Sequence, residues 1–170
     1  MKKEQKRVLA FGTHPDDIEI GCGGTVALLA RRGFGITHVV LTSGEAGSDR
    51  VPPWEMGPAR EKEALEAAKV LGSAGVEFLR YPDGLTGCTR EMKVDIIRLV
   101  RRLRPHVVLV HERNETSLGH RVVSELVLES VQAGSGPWFQ EAGGGPWSPE
   151  LILGYEVWHP LGRWELAVDI

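Results

Sequence analysis

What most limits the folds open to this chain is a regular alternation of short apolar runs with longer amphipathic ones. "RVLAFGT" at 7–13, "ITHVVLTS" at 36–43, "VEFLRYPDG" at 76–84 and "HVVLV" at 106–110 have the length and β-branched content of strands. "HVVLV" is apolar throughout, the mark of a strand buried on both faces, as in parallel sheets. Between them lie helical stretches. "GTVALLARRG" reads as a helix capped by Thr25 and stopped by Gly33, and "PAREKEALEAAKVLG" as one with Leu65, Ala68 and Leu71 on its apolar face and Gly72 at its end. "REMKVDIIRLVRRLRP" ends at Pro105, and "GHRVVSELVLESVQAG" follows the fourth strand. "LILGYEVWHP" and "ELAVDI" are predicted as late strands, and the Gly- and Pro-rich "AGSGPWFQEAGGGPWSPE" as a surface excursion.

Strands alternating with helices require right-handed crossovers and a mainly parallel sheet with helices on both faces. The expected fold is therefore a Rossmann-like three-layer αβα sandwich, and 170 residues suffice for one such domain, 1–170. In such sheets ligands bind outside the carboxyl ends of the strands, where strand order reverses beside the first strand. The segments leaving the first strand, 14–17, and the "HVVLV" strand, 111–120, should thus face one crevice.

Those segments are unusually polar. His14 and Asp17 in "HPDD" are three positions apart, a spacing that a tight turn wraps around one ion. With a distant His120 they make two nitrogens and one oxygen, the ligand set of a catalytic zinc that keeps a position open for water. Asp16 is then free to take a proton from that water. The competing reading is a turn whose aspartates cap the next helix. "GCGG" at 21–24 lies too far past the first strand for a dinucleotide loop, and carboxylates would stand where phosphates belong.

"THPDDIEIGCGGTVALLARRG", "LTSGEAGS", "REKEALEAAKVLG", "YPDG" and "YEVWHP…VDI" together resemble the LmbE/PIG-L family of zinc-dependent N-deacetylases, which act on N-acetylglucosamine groups and related acetamides. The resemblance implies one zinc per chain on His14, Asp17 and His120, with Asp16 as general base. It implies that Arg60 and Asp83 hold sugar hydroxyls or an adjoining group. Family members usually read His-Pro-Asp-His where this chain reads Ser117-Leu118-Gly119-His120, so the histidine that stabilises the oxyanion and the aspartate that orients it are expected to be missing. His111, at the end of its strand, is a candidate replacement that donates to the oxyanion or touches the metal; otherwise it bonds a loop carbonyl. The resembling proteins continue beyond the "VDI" segment, so the domain is expected to be short at its C-terminal side.

The implied function is hydrolysis of an acetamide on a small N-acetylated sugar or related substrate. The alternative is a catalytically impaired, metal-bearing carbohydrate-binding or structural relative. A formal charge of −3 lends no support to nucleic-acid or anionic-membrane binding. No apolar run reaches the length of a transmembrane segment, and Cys22 and Cys88 form neither a CxxC pair nor a disulfide framework. A cytoplasmic protein with reduced thiols, and a homo-oligomer by family likeness, are the expectations.

Overall fold

The computed structural model describes residues 5–84 and 87–170. The leading residues of "MKKEQKR" lie outside the described part. Five parallel strands form a single sheet: β1 (Arg7–Gly12), β2 (Gly35–Thr42), β3 (Gly75–Tyr81), β4 (Val107–His111) and β5 (Leu151–Tyr155), in the order β3-β2-β1-β4-β5. The order reverses between β1 and β4, which pair in register from Val8↔Val107 to Ala10↔Leu109. The expected crevice therefore exists where the sequence pattern puts it.

Four helices cover the sheet: α1 (Asp17–Arg31), α2 (Pro53–Leu71), α3 (Arg90–Leu103) and α4 (Leu118–Gly134). Two apolar clusters fill the two faces. Phe11, Leu9, Val39 and Val110 meet Ile96, Val100, Leu126 and Val127 of α3 and α4. Val8, Ala10, Ile36 and Leu109 meet Ile18, Cys22 and Val26 of α1 on the other face. Alternate strand residues point to opposite faces, so strands with helices on both sides must be apolar at every position.

Several local expectations are corrected. Helix α1 starts at Asp17, well before Thr25, so Thr25 is no cap. The helix tolerates "GCGG" because it bends at Cys22 (φ −143°, ψ 18°) and because Gly21 lies against the Tyr155 ring, where a Cβ would come within 2.4 Å of Cδ2. Helix α2 turns Ala64 and Ala68 inward while Leu65 stays 42% exposed, since this helix packs too closely on its neighbours for larger residues. The excursion after α4 is only partly superficial: Ala142 is buried, and Trp147 donates its indole N–H to the Pro105 carbonyl (2.7 Å). "ELAVDI" forms no strand. Its last residue packs on α1 instead, with Ile170 Cδ1 2.2 Å from where a Cβ on Gly24 would be. Two histidines in or beside strands are anchored by hydrogen bonds: His38 Nε2 lies 2.9 Å from Ser73 Oγ, and His106 Nδ1 accepts from Arg7 N–H at 3.1 Å.

Candidate metal centre

The turn after β1 is built around one carboxylate. Asp17 Oδ2 accepts the backbone N–H groups of Thr13 (2.9 Å) and His14 (2.8 Å), folding the chain back at the sheet edge and starting α1. Its other oxygen, Oδ1, lies 3.3 Å from His120 Nε2, and Oδ2 lies 3.6 Å from His14 Nδ1. His120 comes from the first turn of α4, whose N-cap is Ser117: the Ser117 hydroxyl accepts the His120 N–H at 3.5 Å. The turn after β1 and the start of α4 converge because β1 and β4 are neighbours.

One nitrogen from each of His14 and His120 and one oxygen of Asp17 all lie within 4.8 Å of one another. Among the described residues this is the group of three or more His, Cys, Asp or Glu side chains able to hold a metal. A tetrahedral zinc with bonds of about 2.0–2.1 Å has ligand-to-ligand edges of about 3.3 Å. The Asp17 Oδ1–His120 Nε2 separation matches that edge, and the three donors together lie within 4.8 Å, so the donor types suit zinc.

The electrostatics favour the ligating form at Asp17 and His120. Burial alone would raise the Asp17 carboxyl, but hydrogen bonds from His111 and His14 hold it well below the usual carboxylate range. It is therefore an anion at neutral pH. Burial lowers His120 despite the nearby Asp17 charge, and His111 and His14 push it the same way, so His120 favours the neutral, ligating form. At His14 burial is outweighed by Asp17 and Asp83, and its pKa is raised.

The remaining expected residues surround this cup. Asp16 stands beside it, paired with Arg60 Nη2 at 2.9 Å rather than free. Burial raises the Asp16 carboxyl, partly offset by Arg60. Arg60 reaches the site by passing Gly44, whose φ of +63° and missing Cβ leave the guanidinium its path: a Cβ there would lie 2.4 Å from Nη1. Asp83 lies against His14, with Oδ1 3.1 Å from Nε2, while its Oδ2 accepts the Ala46 N–H at 3.1 Å. Glu45 joins the same corner, accepting the Asp83 N–H at 2.8 Å.

His111 is brought to the cluster, against His120 and Asp17. Its ring stacks on His120 (centroids 4.2 Å apart, 11° between planes), and its Nε2 lies 3.1 Å from both Thr13 N and Oγ1 and 3.3 Å from Asp17 Oδ2. The side chain is fully buried, so it offers no nitrogen to an incoming substrate. Its loop-carbonyl alternative is not met either, because Nδ1 has no hydrogen-bond partner.

Sequence reasoning missed Glu115, a buried carboxylate whose Oε2 lies 3.6 Å from His120 Nδ1. Its signal was faint: one of two glutamates in a loop of mixed polarity, five positions before a candidate ligand. It missed equally the Tyr155 hydroxyl, which donates to the Phe11 carbonyl at 2.6 Å and ties β5 to the strand that ends in the site.

Comparison with known proteins agrees with this geometry. The profile of the PIG-L family, described as GlcNAc-PI de-N-acetylase, matches residues 9–131, from β1 through α4. Diacetylchitobiose deacetylase of Thermococcus kodakarensis is 31% identical over 142 residues, covering 81% of this chain and 53% of that enzyme. The N,N'-diacetylchitobiose deacetylase structure from Pyrococcus horikoshii superposes with a TM-score of 0.83 at 30% identity, covering 89% of this chain and 61% of that one. The 4-oxalmesaconate hydratase of Pseudomonas putida is also similar, 30% identical over 139 residues, covering 76% of this chain and 53% of the hydratase. The chain thus spans about half the length of these curated relatives. Fold and sequence agree over most of its length: the chain belongs to the PIG-L family, described as GlcNAc-PI de-N-acetylase.

Proposed function

We propose that this chain is a zinc-dependent N-deacetylase, hydrolysing the acetamide of an N-acetylglucosamine-like or related small substrate to acetate and a free amine. The observation that carries the reading is the cup of His14, Asp17 and His120 with the Asp16 carboxylate beside it. The names of the deacetylase relatives support the substrate class. A zinc ion held by the three side chains supplies Lewis acidity and brings the pKa of water in contact with it to about 7.

The chain's own residues do the rest. Asp16 takes a proton from the attacking water as the new C–O bond forms, and returns it to the amide nitrogen as the C–N bond breaks. It is a carboxylate beside the cup that is not itself a ligand, so it is placed to carry the proton through both steps. Arg60 aims it through the 2.9 Å ion pair, and Arg60 and Asp83 flank the site for contacts to substrate hydroxyls. His111 acts from beneath, bracing Asp17 and His120.

The segment 117–119 favours a second reading. Ser117 is engaged as the cap of α4, Leu118 is apolar and Gly119 has no side chain, so these positions offer no imidazole to an oxyanion. Loss of one such donor costs on the order of 10²–10³ in rate. A slow enzyme or a carbohydrate-binding, metal-bearing relative fits that feature.

The test is acetate release from N-acetylglucosamine and diacetylchitobiose by the zinc-loaded chain, beside Asp16→Asn with its zinc content measured. The expected outcome is equal zinc in both and a fall of about 10²–10⁴ in rate for the variant. A zinc-loaded parent that binds these sugars but releases no acetate moves the conclusion to the second reading. Turnover of 4-oxalmesaconate instead would replace deacetylation with hydration.

A further inference from the structure

Glu115 lies between β4 and α4, and its side chain is fully enclosed. Among the described residues it makes no ion pair with Lys or Arg. Instead Oε1 accepts three consecutive backbone N–H groups, from Val157 (2.8 Å), Trp158 (3.0 Å) and His159 (3.3 Å), just beyond β5. The other oxygen, Oε2, has no hydrogen-bond partner; it stands 3.6 Å from His120 Nδ1, which has none either. Three backbone N–H groups converging on one oxygen are the environment of an accepting carboxylate.

A neutral imidazole carries one N–H and one lone pair. At His120 each nitrogen faces a different carboxylate, Glu115 at Nδ1 and Asp17 at Nε2. A carboxylate oxygen accepts, and Glu115 Oε2 is a buried oxygen to which nothing else donates. Asp17 Oδ1 belongs to the cup, where a ligating histidine must present a lone pair.

Building on the zinc reading above, we propose that Glu115 is a positioning residue: it fixes His120 as the Nδ1–H tautomer, turns the Nε2 lone pair into the cup, and ties this ligand to segment 157–159. Carboxylates behind metal-bound histidines act this way in many sites, and their loss costs about 10- to 100-fold in metal affinity. The particular feature in this chain is that the same carboxylate carries the backbone of the segment beyond the edge strand. The order of 157–159 and the aim of His120 are therefore linked.

The test uses Glu115→Gln. The amide oxygen can still receive the N–H groups of 157–159, but the NH₂ group then faces His120 Nδ1 and selects the opposite tautomer. Zinc affinity is measured by competition with a chromophoric chelator. The tautomer is read from long-range ¹H–¹⁵N correlations of ¹⁵N-histidine-labelled, metal-free protein. The expected result is Nδ1–H at His120 in the parent, Nε2–H in the variant, and zinc binding about 10- to 100-fold weaker in the variant. Zinc affinity within twofold of the parent and an unchanged tautomer would overturn the proposal. So would Nε2–H in the parent itself, a measurement that needs no variant to fold. A parent that takes up no zinc overturns the zinc reading instead, and the tautomer measurement still judges the role of Glu115.

Discussion

Asp17 has two separable duties, and substitution should part them. Its Oδ2 receives two buried backbone N–H groups at 2.9 and 2.8 Å, while Oδ1 faces His120. Hydrogen bonds to a charged acceptor contribute roughly 1.5–3 kcal/mol each. Asp17→Ala removes both, so after some recovery by water the metal-free protein should lose about 3–5 kcal/mol. Asp17→Asn keeps an acceptor for both N–H groups at neutral strength, and its NH₂ can donate to the His120 Nε2 lone pair. That loss should be about 1–2 kcal/mol. With a urea m-value of about 2 kcal/mol/M, the midpoints should fall by about 2 M for alanine and about 0.7 M for asparagine. The assay is urea unfolding at pH 7.5 in the presence of a chelator, repeated with zinc. At a hundredfold excess over Kd, zinc should add about 2.7 kcal/mol to the parent and nothing to either variant. An alanine variant as stable as the parent without metal would refute Asp17 as the pin of the turn. An asparagine variant that gains as much from zinc as the parent would refute it as a ligand.

Two further outcomes concern the scaffold. The Arg101 guanidinium is buried and donates to the carbonyls of Gly134, Gly136, Trp138, Phe139 and Gly143, fastening the excursion after α4. Arg101→Met should cost about 3–5 kcal/mol in urea unfolding, since several buried carbonyls lose their donor, and a cost below about 1 kcal/mol would contradict this account. Glu61 is held below the ordinary carboxylate range: burial would raise it, but hydrogen bonds from Arg80 and Ser43 prevail. A depressed carboxylate contributes stability above its unfolded pKa and loses it as pH falls through the folded one. Glu61→Gln should thus be less stable than the parent by about 1 kcal/mol at pH 7. The gap should close on acidification below pH 4, and a gap constant across a urea-midpoint series from pH 7 to pH 3 would count against it.

The fold was legible because its signals are local. Apolar runs such as "VLAFG" and "HVVLV" leave no polar face to turn toward water, so they demand helices on both sides, and the alternation of elements then fixes parallel connections. Helix ends were read correctly where backbone chemistry marks them. Gly72 takes the left-handed cap (φ +78°), and α3 stops just before Pro105. They were misread where packing overrode the mark. The early start of α1 depends on Asp17 gathering two N–H groups, and "ELAVDI" ends with Ile170 packed against Gly24 of α1 rather than in the sheet.

By itself the sequence determined the sheet, the crevice between β1 and β4, and the residue types at the cup, since HPDD and a distant histidine are written in the chain. Only the tertiary structure decided what each side chain does there. It closed His111 beneath the cup, set Asp16 against Arg60 and Asp83 against His14, and brought Glu115 under His120. The physical reason is range. Secondary structure follows from hydrophobic period and local hydrogen bonding over a few residues, whereas a hydrogen bond such as Thr13 to His111 joins positions 98 apart in sequence. No local pattern encodes which nitrogen a distant carboxylate will face; that follows only when strands at the centre of the sheet bring their loops together.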